Sequence, residues 1–268
     1  MNVRLLAGAV VLAAGLAGAQ GREGWRLVWS DEFDKPGLPD ATKWTYEKGF
    51  VRNREAQYYT EKRLENARVE KGVLIIEGRK EAYEAPDGKA AQYTAASITT
   101  EGLFALTYGR VEVRAKLPRG RGMWPAIWML GSTIRSIGWP KCGEIDIMEF
   151  VGHEPEKVHA TVHWYGYDVG KHRMLGGNLP GQAPSDGFHV YAVEWFKDRM
   201  DFYFDERKYF TYPIEKAGAD EKNPFHKPHY LLMNLAIGGS WGGQKGIDDT
   251  VFPQQYVIDY VRIYQKAE

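Results

Sequence analysis

The chain has 268 residues and balances 35 Lys and Arg against 35 Asp and Glu, so its formal charge at neutral pH is zero. A neutral chain lacks the electrostatic footprint that nucleic acid or an anionic membrane surface demands, and neither is expected as a partner. Cys142 is the only cysteine, which rules out an intrachain disulfide and leaves packing, with or without a metal, to supply stability.

At the N-terminus Arg4 precedes an apolar run from Leu5 to Leu16, followed by Ala17-Gly18-Ala19. That pattern predicts a secretory signal peptide over residues 1–19, cleaved before Gln20, and a secreted protein in the extracellular space or periplasm. The run is too short to span a bilayer, so no membrane partner is expected after cleavage. Residues 20–268 read as one domain and a monomer, with no long linker, repeat or low-complexity tract.

Short alternating runs follow one another along this domain. Val73 to Ile76, Val111 to Leu117, Phe188 to Phe196, Met200 to Asp205 and Tyr256 to Tyr264 each read as a strand. Lys197-Asp198-Arg199 is a tight link between the third and fourth of these. Helical periodicity is confined to one short turn at 214–219. Many strands separated by Gly and Pro predict an all-β fold, a two-sheet antiparallel sandwich or jelly roll.

The segment Glu144-Ile-Asp-Ile-Met-Glu149 interleaves three carboxylates with apolar side chains. A strand's period of two places Glu144 and Asp146 on one face and Ile145 and Ile147 on the other. Uninterrupted alternation would send Glu149 inward, so one extra residue at Ile147-Met148, a β-bulge, is predicted to return it to the acid face. Lined-up carboxylates repel and raise each other's pKa, which a chain has little structural reason to tolerate unless chemistry or a metal needs them. Glu144 and Glu149 are the candidate pair for hydrolysis of a glycosidic bond with retention, which needs carboxyl groups about 5–5.5 Å apart, and Asp146 supports them. The competing reading is a calcium site made of the same acids, disfavoured because hard cations usually draw on carbonyl-rich loops.

Around the acids, Trp124, Trp128 and Trp241 offer flat faces to sugar rings, and Trp241 sits in a glycine loop where core burial is less expected. His159, Thr161 and His163 alternate with apolar residues, giving a polar strand face that adjoins the acids. Asn53, Glu55, Gln57 and Arg79 supply the hydrogen-bonding groups that hydroxyl recognition needs. Cys142 is expected to act as a small packing residue.

These segments together resemble glycoside hydrolase family 16, in the laminarinase-like form with the inserted methionine. Trp29 to Phe33, Asn53 to Tyr59, Gly122 to Leu130, His159 to Trp164, Asn234 to Gly239 and Asp259 to Tyr264 match the family's landmarks in order, across nearly the whole domain. The resemblance implies a β-jelly roll with an open concave cleft and an endo-β-1,3-glucanase acting on β-glucan polysaccharide. In it Glu144 is the nucleophile, Glu149 the general acid and then base, and Asp146 the assistant of the nucleophile. It also implies that Asn53, Arg79, Trp124, Trp128, His163 and Trp241 bind substrate. No cofactor is required for the chemistry, but relatives often hold a structural calcium ion, which here falls to Glu32, the Gly72 carbonyl and Asp259. Ser240 stands where many relatives carry asparagine, and a loop at 133–141 precedes the acids. Both leave the choice between β-1,3-glucan and mixed β-1,3-1,4-glucan open, and a non-catalytic glucan-binding module remains the rival from another class.

Overall fold

The computed structural model of the protein describes residues 22–218 and 221–267, so the signal-peptide reading of residues 1–19 lies outside the described residues. Two sheets pack face to face. The seven-stranded sheet runs, in spatial order, Lys171–Pro180, Lys157–Gly166, Glu144–Glu149, Met123–Gly131, His229–Ile237, Ser97–Thr99, Thr45–Tyr46. The ten-stranded sheet runs Arg207–Pro213, Arg199–Phe204, His189–Trp195, Gly109–Lys116, Gln254–Lys266, Val73–Glu84, Ala90–Ala95, Gln57–Tyr59. Trp25–Asp31 joins it beside Gln254–Lys266, and Ala67–Glu70 beside Val73–Glu84. Pairing is antiparallel except between Gln57–Tyr59 and Ala90–Ala95, which run parallel. All five strands expected from alternation are present, and the link at 197–199 joins His189–Trp195 to Arg199–Phe204. Ile214–Ala217 forms the short turn of 3-10 helix expected there.

The main core lies between the sheets, where Ile145, Ile147 and Met148 of the acid strand meet Val111, Val113, Val193, Phe202, Val261 and Ile263 of the opposite sheet. Every residue of Met123–Gly131 and of His229–Ile237 is buried. These two central strands are covered on one face by the core and on the other by aromatic side chains of the cleft, so neither shows polar alternation. No helix among the described residues is long and apolar enough to cross a membrane.

Candidate active site

The acids stand on a bulged strand. Asp146 pairs with Trp128 on one side, but the next pair in that ladder is Met148 with Ile127, so Ile147 is the additional residue. The ladder on the other side shifts between Asp146 and Glu149 as well. Ile147 and Met148 both turn into the core, and Glu149 regains the face of Glu144 and Asp146, as two residues opposing one allows. On the neighbouring strand Glu144 faces His163, Asp146 faces Thr161 and Glu149 faces His159. The polar face expected for residues 159 to 163 therefore lies directly against the acids, while Trp164 turns into the core.

Two tryptophans hold the outer carboxylates. The Trp124 indole donates to Glu149 Oε1 at 3.1 Å, and the Trp139 indole donates to Glu144 Oε2 at 2.8 Å. His163 Nε2 lies 3.2 Å from Asp146 Oδ2 and 3.8 Å from Glu144 Oε1. Burial, then the charge of Asp146, pushes Glu144 up to about 8, against the opposing pull of His163 and Trp139. Burial raises Asp146, and burial followed by the charge of Asp146 holds Glu149 well above the usual carboxylate range. Three such groups cannot all ionise near neutrality, so the cluster keeps protons that belong to the set. Glu149, raised well above that range, is the natural donor.

A cavity of about 340 Å³ opens on these acids and is also lined by Asn53, Glu55, Trp124, Trp128, Trp139 and Asn234. One wall is a hydrogen-bonded relay. Trp128 Nε1 donates to Asn234 Oδ1 at 2.8 Å, Asn234 Nδ2 to the Tyr59 hydroxyl at 2.9 Å, and that hydroxyl to Glu55 Oε2 at 3.2 Å. Gln57 Nε2 and Asn53 Nδ2 donate to the same Glu55 carboxylate. Trp241 packs edge-on against Trp124 at 5.7 Å and against His159 at 4.9 Å, at the rim. The turn before it requires glycine, since Gly239 has φ of +76° and a Cβ there would sit 3.0 Å from Glu55 Cγ.

The structure therefore gathers Asn53, Trp124, Trp128, His163 and Trp241 around Glu144, Asp146 and Glu149. Arg79 is the exception and corrects the expectation. It lies on Val73–Glu84 of the ten-stranded sheet, where Gly78 faces the inner side chains of Leu235 and Ile237. Parity turns Arg79 outward to pair with Glu77. Three contributors escaped the sequence. Trp139 comes from the loop ahead of the acid strand, and its ring lies 4.6 Å from that of His172. His172 in turn stacks on His163, and Arg52 lies over the Trp128 ring at 4.8 Å. The composition of the loop marked it as a modifier of the cleft, but nothing local singled out its tryptophan.

The residues implied for calcium do not fit one as they are arranged. Glu32 accepts both contacts of Arg262, at 3.0 and 2.8 Å, and Asp259 accepts Arg114 at 2.5 Å. Gly72 completes a surface turn at φ +77°. A cation would have to displace two guanidinium groups. Within the cleft, Glu144, Asp146 and His163 each offer one atom within 4.8 Å of the others, the sole such group among the described residues. Two carboxylates and an imidazole fall short of the six to eight oxygens a calcium ion takes, and Glu144 is already held by an indole N–H. Cys142 is buried and unpaired, its thiol pushed up to about 12 by burial, as a packing residue should be.

Residues 43–262 match the family described as glycosyl hydrolases family 16. A β-glucanase of Rhodothermus marinus is 48% identical over 252 residues, spanning 91% of this chain and 86% of that protein. The X-ray structure of the laminarinase from Rhodothermus marinus superposes with a TM-score of 0.83 at 49% identity, covering 91% of this chain and 98% of that one. LamA from Z. galactanivorans, solved in complex with laminaritriose and laminaritetraose, superposes at 0.80 with 40% identity, covering 89% of this chain and 98% of that one. Together with the two-sheet fold and the bulged acid strand, these matches establish that the chain belongs to glycosyl hydrolases family 16 and is a glycoside hydrolase.

Proposed function

We propose that the protein is a secreted, retaining endo-β-1,3-glucanase. The observation that carries this reading is the placement of Glu144 and Glu149 on one face of a bulged strand, each carboxylate held by an indole N–H, in a cleft walled by aromatic and amide groups. Glu149, whose proton affinity burial and the charge of Asp146 raise, donates its proton to the departing glycosidic oxygen while Glu144 attacks the anomeric carbon. Deprotonated Glu149 then accepts a proton from water, and the hydroxide oxygen displaces Glu144 with the configuration restored. Asp146, whose Oδ2 lies 3.2 Å from His163 Nε2, adjusts the proton affinity of the nucleophile through its charge. No metal takes part in any step. The β-1,3 preference rests on the laminarinase likeness of the relatives and on their laminari-oligosaccharide complex.

Secretion is supported by the N-terminal apolar run alone. A purely binding role is disfavoured because both outer acids are present and poised. The test is reducing-end release from laminarin and from mixed-linkage lichenan, with the anomer of the first product read by NMR. Wild type is expected to favour laminarin and release the β-anomer first, and Glu144→Gln to lose at least about 10⁴-fold in kcat while still binding laminarin. Near-normal turnover in Glu144→Gln, or an inverted first product, defeats the mechanism.

A further inference from the structure

Asp146 Oδ2 is a buried carboxylate oxygen with no hydrogen-bond donor among the described residues. His163 Nε2 faces it at 3.2 Å, and the same nitrogen lies 3.8 Å from Glu144 Oε1. What that nitrogen offers the two acids depends on where the imidazole keeps its proton. A neutral ring donates through one nitrogen and accepts through the other, and the partner of the far nitrogen decides which.

The far nitrogen of His163 is claimed from the sheet edge. His172, on Lys171–Pro180, brings its Nε2 to 2.9 Å from His163 Nδ1. The two rings lie within 13° of parallel, so an N–H of one can point along the lone pair of the other. His172 is exposed, so its own Nδ1 can accept from water while Nε2 carries the proton. Burial, then the charge of His163, holds its pKa below the ordinary imidazole value, which keeps the ring neutral near pH 7. Trp139 braces it from the other side, with ring centroids 4.6 Å apart, while the indole N–H of the same tryptophan bonds Glu144 Oε2. The contacts that leave Glu144 through Trp139 therefore return to its other oxygen through His172 and His163.

We propose that His172 is a positioning residue for the hydrolysis: by donating its Nε2–H to His163 Nδ1, it confines the His163 proton to Nε2, where it faces Asp146 and Glu144. An N–H in that place favours the ionised carboxylates, and Glu144 must be ionised to attack. With the proton on Nδ1 instead, a bare lone pair would oppose both acids. The other titratable groups nearby leave this choice to His172. Glu149 and His159 lie farther along the ladder, Tyr165 stands opposite His172, and Lys141 sits over the Tyr165 ring at 5.3 Å. None of these bonds either histidine ring. The role in hydrolysis rests on the glucanase reading, whereas the position of the proton belongs to the free protein.

The experiment reads both. Ring 15N shifts of His163 in labelled protein at neutral pH should show Nε2 protonated and Nδ1 bare. His172→Phe keeps a ring against Trp139 but has no N–H, and in it the His163 proton should spread over both nitrogens. On laminarin the acidic limb of its kcat profile should move to higher pH, and kcat at neutral pH should fall about tenfold with KM changed less than about twofold. His172→Gln, whose amide N–H reaches the same Nδ1, should restore the Nε2 proton and bring kcat to within about threefold of wild type. A wild-type ring protonated at Nδ1, a ring unchanged in His172→Phe, or a Gln variant no more active than Phe overturns the assignment and leaves the glucanase reading in place. Failure of wild type to cleave laminarin overturns that reading, and the 15N spectra still decide where the proton sits.

Discussion

Trp139 and Trp124 act on single atoms of single acids, and their effects are separable. An indole N–H favours the ionised form of the carboxylate it touches, so Trp139 holds the proton affinity of Glu144 down against burial and the charge of Asp146. The hydrolysis needs Glu144 ionised and Glu149 protonated, and both are raised. The pH profile of kcat/KM should therefore be bell-shaped with both limbs above the ordinary carboxylate range. Trp139→Phe removes the donor, raises the proton affinity of Glu144 further and should shift the acidic limb to higher pH, with a loss in kcat of about tenfold. A profile that keeps its acidic limb shows that the indole does not act on the nucleophile. Arg79 carries the opposite lesson at this scale. Its chemistry suited sugar recognition, but residue type says nothing about which sheet a strand joins, and the ion pair with Glu77 on the outer face of the ten-stranded sheet claims it.

The bulge is the feature that turns a strand into a catalytic element, and it was legible because a six-residue period-two pattern broken once by an apolar pair has few other solutions. The same parity yields a prediction. Deleting Met148 restores unbroken alternation and leaves Glu144, Asp146 and Glu149 on one face, at the expense of a fully buried side chain. The deletion should cost about 2–5 kcal/mol, read as a fall in Tm. It should nevertheless retain more hydrolysis than Glu149→Gln. Activity no higher than that of Glu149→Gln would show that the bulge does more than restore parity. Other elements were hidden for physical reasons. Met123–Gly131 and His229–Ile237 are buried on both faces and so do not alternate. Lys171–Pro180 is an edge strand with mostly exposed side chains, and its core face carries only Leu175 and Leu179 with Gly177 between them, too little for a pattern to reveal. The loop bearing Trp139 reaches the acids through tertiary packing, which no local pattern records.

At the level of the whole molecule, stability carries a buried base that chemistry does not use. His229 is fully buried between Trp195 and Phe225, with Nδ1 donating to the Lys227 carbonyl and Nε2 enclosed without a partner beneath Gly143. Burial pushes its pKa down to about 4 from an ordinary 6.5. Above pH 6.5 the ring is neutral in both states and its contribution is complete. As pH falls from 6.5 to 4 the unfolded chain takes up a proton that the folded one refuses, and stability declines by on the order of 3 kcal/mol. The raised active-site acids act in the opposite direction, so the comparison that isolates His229 is with His229→Asn, which keeps the donor to Lys227. Urea midpoints of wild type should fall more steeply between pH 7 and 4.5 than those of the variant, and parallel slopes refute the assignment. The lone thiol has a consequence for where such a fold can be assembled. With Cys142 sealed inside and no partner for it, neither oxidant nor reductant has a covalent crosslink to make or break, and the two sheets reach the same packed state in either surroundings.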